Sequence, residues 1–331
     1  MNPVIGILLG DATGIGPEIV AKLFATDGLQ KYCRPIIIGD RRVLERGKEI
    51  ASVDFSVTEV DEPQHAAWNG SIPFLDQGNL DPSDITIGQI SADAGRATGE
   101  MLVQAMQLCK KGDISGFTFA PYHKAAMEYG GYPLLEKGAS IFARHLDWHK
   151  PFGEMNVVNN LWTSRVTSHI PMKDVSESLS IRRIRGSIRL AHETLKRAGF
   201  DDPRLAAAAL NPHCGEDGLC GREEIDVIGP AVAEAKAEGI NVLGPFSADT
   251  LFESAVKGAY DGVITMYHDQ GQIALKLMSF ETAVTVLAGL PYAITTPAHG
   301  TAHDIAGKGI ANPEAMKQAV IIASKMAGWR T

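Results

Sequence analysis

A chain of 331 residues, 45% apolar and 21% charged, carries more apolar material than a single core usually takes, which predicts two domains or one large α/β body with a cleft. Its formal net charge of −8 argues against a nucleic-acid partner, because phosphate backbones are gripped by clustered Lys and Arg. The one basic run, Ile181-Arg-Arg-Ile-Arg185, reads as the solvated start of a helix continuing to Arg197.

Residues 4–9 are apolar, lack a positive flank and pass straight into Gly10-Asp-Ala-Thr-Gly14, so they predict a first buried strand and not a signal peptide. Further strands are predicted over 35–38, 114–120, 161–167, 205–210, 262–266 and 284–286, and helices over 18–23, 95–109, 188–197 and 225–237. Alternation of the two implies a mostly parallel sheet covered on both faces. Residues 52–90 are polar and hold Pro63, Pro73 and Pro82, which predicts an irregular excursion. No run approaches the ~20 apolar residues of a membrane span. The cysteines, Cys33, Cys109, Cys214 and Cys220, are few and irregularly spaced, which argues against a disulfide framework and for a reducing cytoplasm.

Three segments have the composition of a site. Gly10-Asp-Ala-Thr-Gly14-Ile-Gly16-Pro17 follows a strand and opens a helix; it is neither a dinucleotide fingerprint nor a Walker loop, and a plain tight turn and a ligand-binding turn both fit it. His169, His213 and His268 each follow a predicted strand, so they can converge at one sheet edge and offer three imidazoles, with an open fourth position, to a divalent metal. For any one of them alone, an ordinary hydrogen-bonded histidine is the simpler reading. The segment from His299 to Pro313 is rich in glycine and polar side chains.

Gly10-Asp-Ala-Thr-Gly-Ile-Gly-Pro-Glu-Ile19, Ala120-Pro-Tyr-His-Lys124, Leu210-Asn-Pro-His-Cys-Gly-Glu216, Gly244-Pro-Phe-Ser-Ala-Asp-Thr250, Met266-Tyr-His-Asp-Gln-Gly271 and His299-Gly-Thr-Ala302 together resemble, in order, the signatures of the 4-hydroxythreonine-4-phosphate dehydrogenase family. The resemblance implies a two-domain α/β fold like that of isocitrate and isopropylmalate dehydrogenases, with mostly parallel sheets and an interdomain cleft. The expected domains are 1–128 plus 262–331, and 129–261. It also implies a homodimer whose site is completed by the partner chain, and the cysteines, charge and apolar runs already set an expectation of a cytoplasmic protein without nucleic-acid or membrane partners. His169, His213 and His268 would hold Zn²⁺, Mg²⁺, Mn²⁺ or Co²⁺, three imidazoles suiting several of these. NAD or NADP would lie along His299, Gly300, Thr301, Ala302, Asp304 and Asn312, with Gly14 beside them. Lys276 would contact substrate and serve catalysis, Asp249 would arrive from the facing subunit, and His123 and Lys124 would line the site.

The metal would lower the pKa of a substrate hydroxyl and the cofactor would take the hydride, with decarboxylation if a 3-oxo acid results. The departures concern the substrate. In place of the family's Gly-His-Thr-Glu stands Tyr132-Pro-Leu-Leu-Glu-Lys-Gly-Ala-Ser140, and the substrate-contacting Asn and Arg fall, by ungapped counting from Lys276, on Thr285 and Ile294. Losing a bidentate Arg removes a fixed charge for an anion. The sequence therefore favours a non-phosphorylated hydroxy acid or a carboxylated cis-dihydrodiol. The alternative is 4-hydroxythreonine 4-phosphate, with its phosphate held by Lys137, Ser140 or Arg144. A metal-dependent acyl or phosphate transferase on the same fold is the reading from another class; it would need the histidines but not the His299 loop.

Overall fold

The computed structural model describes residues 2–26, 28–136, 139–279 and 281–330. Two compact units divide the chain, Met1–Lys150 with Leu290–Thr331, and Pro151–Gly289. The expected boundaries therefore move at both crossings. Residues 141–146 form a helix that packs on the long helix 92–111 of the first unit, while residues 262–265 and 284–288 are strands within the second unit's sheet.

The first unit runs β1 (Val4–Leu8), α1 (Gly16–Ala25), β2 (Arg34–Gly39), α2 (Arg41–Ala51), β3 (Val57–Glu59), β4 (Ile72–Asp76), α3 (Ala92–Lys111), β5 (Gly116–Phe119) and α4 (Lys124–Tyr129). It continues through the small hairpin β6 (Leu135–Glu136) and β7 (Ala139–Ser140) to α5 (Ile141–Leu146). The second unit follows with β8 (Gly153–Val158), β9 (Leu161–Arg165), α6 (Val175–Ser178), α7 (Ile181–Arg197), β10 (Leu205–Ala208), α8 (Gly229–Ala237), β11 (Val242–Phe246), α9 (Ala248–Val256), β12 (Gly262–Thr265), α10 (His268–Met278) and β13 (Val284–Ala288). The chain returns to the first unit with β14 (Ala293–Pro297) and α11 (Glu314–Met326).

In the first unit the strands lie in the order β14-β5-β1-β2-β4-β3, every neighbouring pair parallel. Ile5, Ile7, Ile36, Ile37 and Ile38 have no exposed surface, because helices cover both faces, and each such side chain gains roughly 1.5–3 kcal/mol on burial. The polar stretch 52–90 is more regular than expected: it adds β3 and β4 to this sheet, with Ile72, Phe74 and Leu75 buried. Their brevity and the surrounding prolines hide them in the sequence.

The second unit has the order β11-β10-β12-β9-β8-β13, parallel from β11 to β9 and antiparallel beyond. The helix expected over 225–237 divides into a π-turn over Glu224–Ile228 and α8, at a point where Pro230 has no N–H to continue the ladder. Strands β9, β12 and β10 are adjacent and parallel, so the loops after them leave the same end of the sheet, where ligands of open α/β sheets bind. Cys33 and Cys109 are buried and in no disulfide, and no helix is long and apolar enough to cross a membrane among the described residues.

Candidate active site

His169 lies just beyond β9 and His268 is the first residue of α10, directly after β12. Their rings are 5.5 Å apart between centroids and tilted by 43°. The His268 Nδ1 lies 2.7 Å from the Asp269 carboxylate, so Nδ1–H donates there and Nε2 keeps its lone pair for a metal. This is the chemistry that a divalent site asks of an imidazole.

His213 does not join them. Among the described residues no group of three metal-ligating side chains forms within one chain. This histidine lies in the loop after β10, where His213 (φ 48°), Cys214 (57°), Glu216 (45°) and Asp217 (57°) all adopt the left-handed conformation around Gly215. Each non-glycine residue there costs about 1–2 kcal/mol. The turn sets the His213 Nδ1 2.6 Å from Glu216 Oε1, again leaving Nε2 for a metal. The hydrogen bond to Glu216, with the nearby charges of Glu216 and Asp249, raises the His213 pKa above its ordinary value. Asp249 opens α9, where it accepts from the Ser247 hydroxyl at 2.7 Å, and that bond holds its carboxyl below the usual range. Cys214 is a half-buried thiol near the Pro245 carbonyl, its pKa pushed up by burial.

The loop carrying His213 is anchored by a residue the sequence did not single out. Glu224 is 5% exposed; its Oε1 accepts from the backbone N–H of Leu210 and of Asn211, each at 2.8 Å, and its Oε2 accepts from the Asn211 amide at 2.9 Å. The second Glu of Glu223-Glu224 in a polar run gives no sign of this.

The residues expected to hold the cofactor gather in the first unit. The backbone N–H of Ile15 donates to the Thr301 carbonyl at 3.0 Å, and a Cβ on Gly14 would come within 2.8 Å of Thr301, so only glycine admits this approach. Ala302 sits at φ 45°, and Gly300 and Asp304 are exposed. Burial lowers the His299 pKa, opposed by its contact with the Gly300 carbonyl. Asn312 accepts from the backbone N–H of Glu314 at the start of α11. The far end of the loop is pinned from α1, where Lys22 donates to the carbonyls of Gly309 and Ala311 and Glu18 accepts from the backbone N–H of Ala311.

Beside this loop His123 stacks on His303, with centroids 5.3 Å apart and rings 12° from parallel. His123 Nδ1 accepts from the Ala126 backbone as the cap of α4, so its proton is on Nε2; Lys124 is the exposed first residue of that helix. Thr13 donates to Asp11 and lies 3.3 Å from His303 Nε2. Asp11 is 1% exposed and its Oδ2 has no hydrogen-bond partner among the described residues. Asp11, Thr13 and His303 lay within quoted motifs, yet nothing in their spacing revealed the cluster.

The expected substrate contacts scatter. Lys276 is exposed, two turns along α10 from His268. Ser140 caps α5, its Oγ accepting from the Phe142 N–H. Arg144 lies within α5, while Lys137 is outside the described residues. Thr285, on β13, accepts from the Asn156 amide at 2.9 Å, and Ile294, on β14, has no exposed surface.

The sequence pattern of the pyridoxal phosphate biosynthetic protein PdxA family matches residues 31–323. A putative 4-hydroxythreonine-4-phosphate dehydrogenase 2 of Rhizobium meliloti (strain 1021) is 42% identical, over 98% of this chain and 94% of that one. A D-threonate 4-phosphate dehydrogenase of Cupriavidus necator is 38% identical over 98% of each chain. The crystal structure of a 4-hydroxythreonine-4-phosphate dehydrogenase from Klebsiella pneumoniae superposes with a TM-score of 0.86 at 34% identity, covering 99% of this chain and 98% of that one.

Proposed function

The chain belongs to the PdxA family and is a dehydrogenase acting on CH–OH groups, and from that premise we propose that it oxidises the secondary alcohol of a phosphorylated hydroxy acid of the 4-hydroxythreonine 4-phosphate or D-threonate 4-phosphate class. The observation that carries this reading is the His169–His268 pair in a chain 42% identical, along nearly its whole length, to a relative named for a phosphorylated substrate. The sequence-based preference for a non-phosphorylated acid or dihydrodiol finds no support in these names, which favour the alternative. They are also names of dehydrogenases, and nothing in them favours the transferase reading.

His169 and His268 would hold a divalent cation on Nε2 donors, and His213, which shares its surroundings with Asp249, would arrive with it from the facing subunit of a homodimer. The exposed Ile273 (60%) and Leu277 (83%), one turn apart on the helix that carries His268 and Lys276, support a partner surface. When bound, the cation supplies a lowered hydroxyl pKa and NAD or NADP supplies the hydride acceptor. Asp269 and Glu216 keep the imidazoles in the ligating tautomer. Lys276 orients the carboxylate of the substrate and, if carbon dioxide is lost, returns a proton to the product carbon. The Gly14–Thr301 contact, with Gly300, Ala302, Asp304, His299 and Asn312, forms the dinucleotide cradle. His123 and Lys124 line its edge.

The test is the formation of reduced cofactor by metal-loaded protein given the two phosphorylated acids, their dephosphorylated forms and a carboxylated dihydrodiol, each with and without a chelator. Turnover of a phosphorylated acid that stops on chelation is expected. Turnover of the unphosphorylated compounds alone would overturn the substrate class, and full activity after exhaustive metal removal would overturn the metal.

A further inference from the structure

Two family positions that would meet the anionic end of the substrate are Thr285 and Ile294, and the second has no exposed surface with which to meet anything. Thr285 leads elsewhere. Its hydroxyl accepts from the Asn156 amide, and the Asn156 Oδ1 in turn accepts from Arg165 Nη1 at 2.8 Å and from the Gln272 amide. Arg165 also donates from Nε to the Ser168 hydroxyl at 3.0 Å and from Nη2 to Glu154 at 2.5 Å. Its side chain is 9% exposed, so one guanidinium is fixed by neighbours on β8, on α10 through Asn156, and on the loop to His169.

A guanidinium has five N–H donors, and three of these are used, which leaves two for a ligand. Held by its neighbours, it would lose little freedom on binding one. Arg165 and His169 both line a groove of about 1140 Å³ in the second unit, and so do Arg182 and Arg183 of α7. Those two arginines are exposed and make no ion pair with a carboxylate among the described residues. The bland reading makes Arg165 one half of an ion pair. Its partner Glu154 is 48% exposed, however, and can turn into water when a stronger anion arrives.

We propose that Arg165 takes the phosphate of the substrate in this chain, beside His169, in place of the arginine that the family pattern has where Ile294 stands. This rests on the phosphorylated-substrate reading above and gives it a binding residue. Glu154 occupies the guanidinium in the free protein and yields to the phosphate; Arg182 and Arg183 add charge at the mouth of the groove.

The experiment measures, on metal-loaded full-length protein, the KM of each phosphorylated acid and the inhibition constant of inorganic phosphate for Arg165→Met, Arg165→Lys and Glu154→Gln. Arg165→Met is expected to raise both constants about tenfold or more, with Lys recovering part of the loss and the KM for cofactor unchanged. Glu154→Gln is expected to lower the phosphate constant severalfold, because it removes the competing carboxylate; a purely structural ion pair would give lost stability and an unchanged constant. If Arg165→Met fails to fold, Arg165→Lys and Glu154→Gln decide. Wild-type constants in all soluble variants would overturn the proposal even if the phosphorylated acids are turned over. If they are not, phosphate inhibition that depends on Arg165 sustains the anion site while the substrate reading falls, and its absence overturns both.

Discussion

Glu224 holds three N–H groups with one carboxylate, and the residues it holds lead directly into the left-handed turn bearing His213. Removing it leaves the N–H groups of Leu210 and Asn211 without acceptors, at about 1–3 kcal/mol each. Because those bonds aim the turn, the loss should appear in metal binding as well as in stability. Glu224→Ala, which removes the acceptor altogether, is expected to weaken metal affinity by about 10–100-fold, measured by competition with a chromogenic chelator. Unchanged affinity in a folded variant would mean that the turn is set by other contacts. Its conformation was not legible beforehand. A single glycine, Gly215, marks a stretch in which four L-residues take positive φ, and side-chain types alone give no reason for that.

At the scale of elements, the strands with unbroken apolar runs were the readable ones. Strands β1, β2, β5, β10 and β12 fall where unbroken apolar runs place them, because strands buried on both faces need no polar alternation. Strands β3 and β4, edge pieces among prolines, were not readable, and neither was the division before α8. Helix α2 shows how a local signal becomes stability. Asp40 is its N-cap, 3% exposed, accepting from the backbone N–H groups of Arg42 and Leu80 and from the Arg42 side chain. Burial alone would push this carboxyl up, yet those hydrogen bonds prevail and hold it below its ordinary value.

The sign follows from that depression. Asp40 contributes stability that is fully present above the ordinary carboxylate pKa of ~3.9 and is lost as the pH falls through the lower folded value. Asp40→Ala should therefore cost about 1–3 kcal/mol near neutral pH, and the difference from wild type should shrink in strong acid. Urea denaturation of both proteins across that range checks it. A difference independent of pH would place the effect in packing and not in the charge.

At the scale of the whole molecule, the family signatures foretold the α/β fold but not the limits of the two units: strands 262–265 and 284–288 belong to the second, the former between β10 and β9 and the latter beside β8. The sequence also put three histidines after three strands, and those strands proved adjacent. Adjacency was not sufficient, because His213 stands apart from the other two within one chain. A site needing all three would then draw His169 and His268 from one subunit and His213 from its partner. That is the central claim, and mixing subunits tests it most directly. His169→Ala and His213→Ala homodimers should each be inactive and bind metal weakly. Dissociated, mixed and reassembled, they should form heterodimers with one intact site of two, and random pairing should restore about a quarter of wild-type activity and metal occupancy. No recovery from a mixture shown to contain heterodimers would contradict a site built across the subunits.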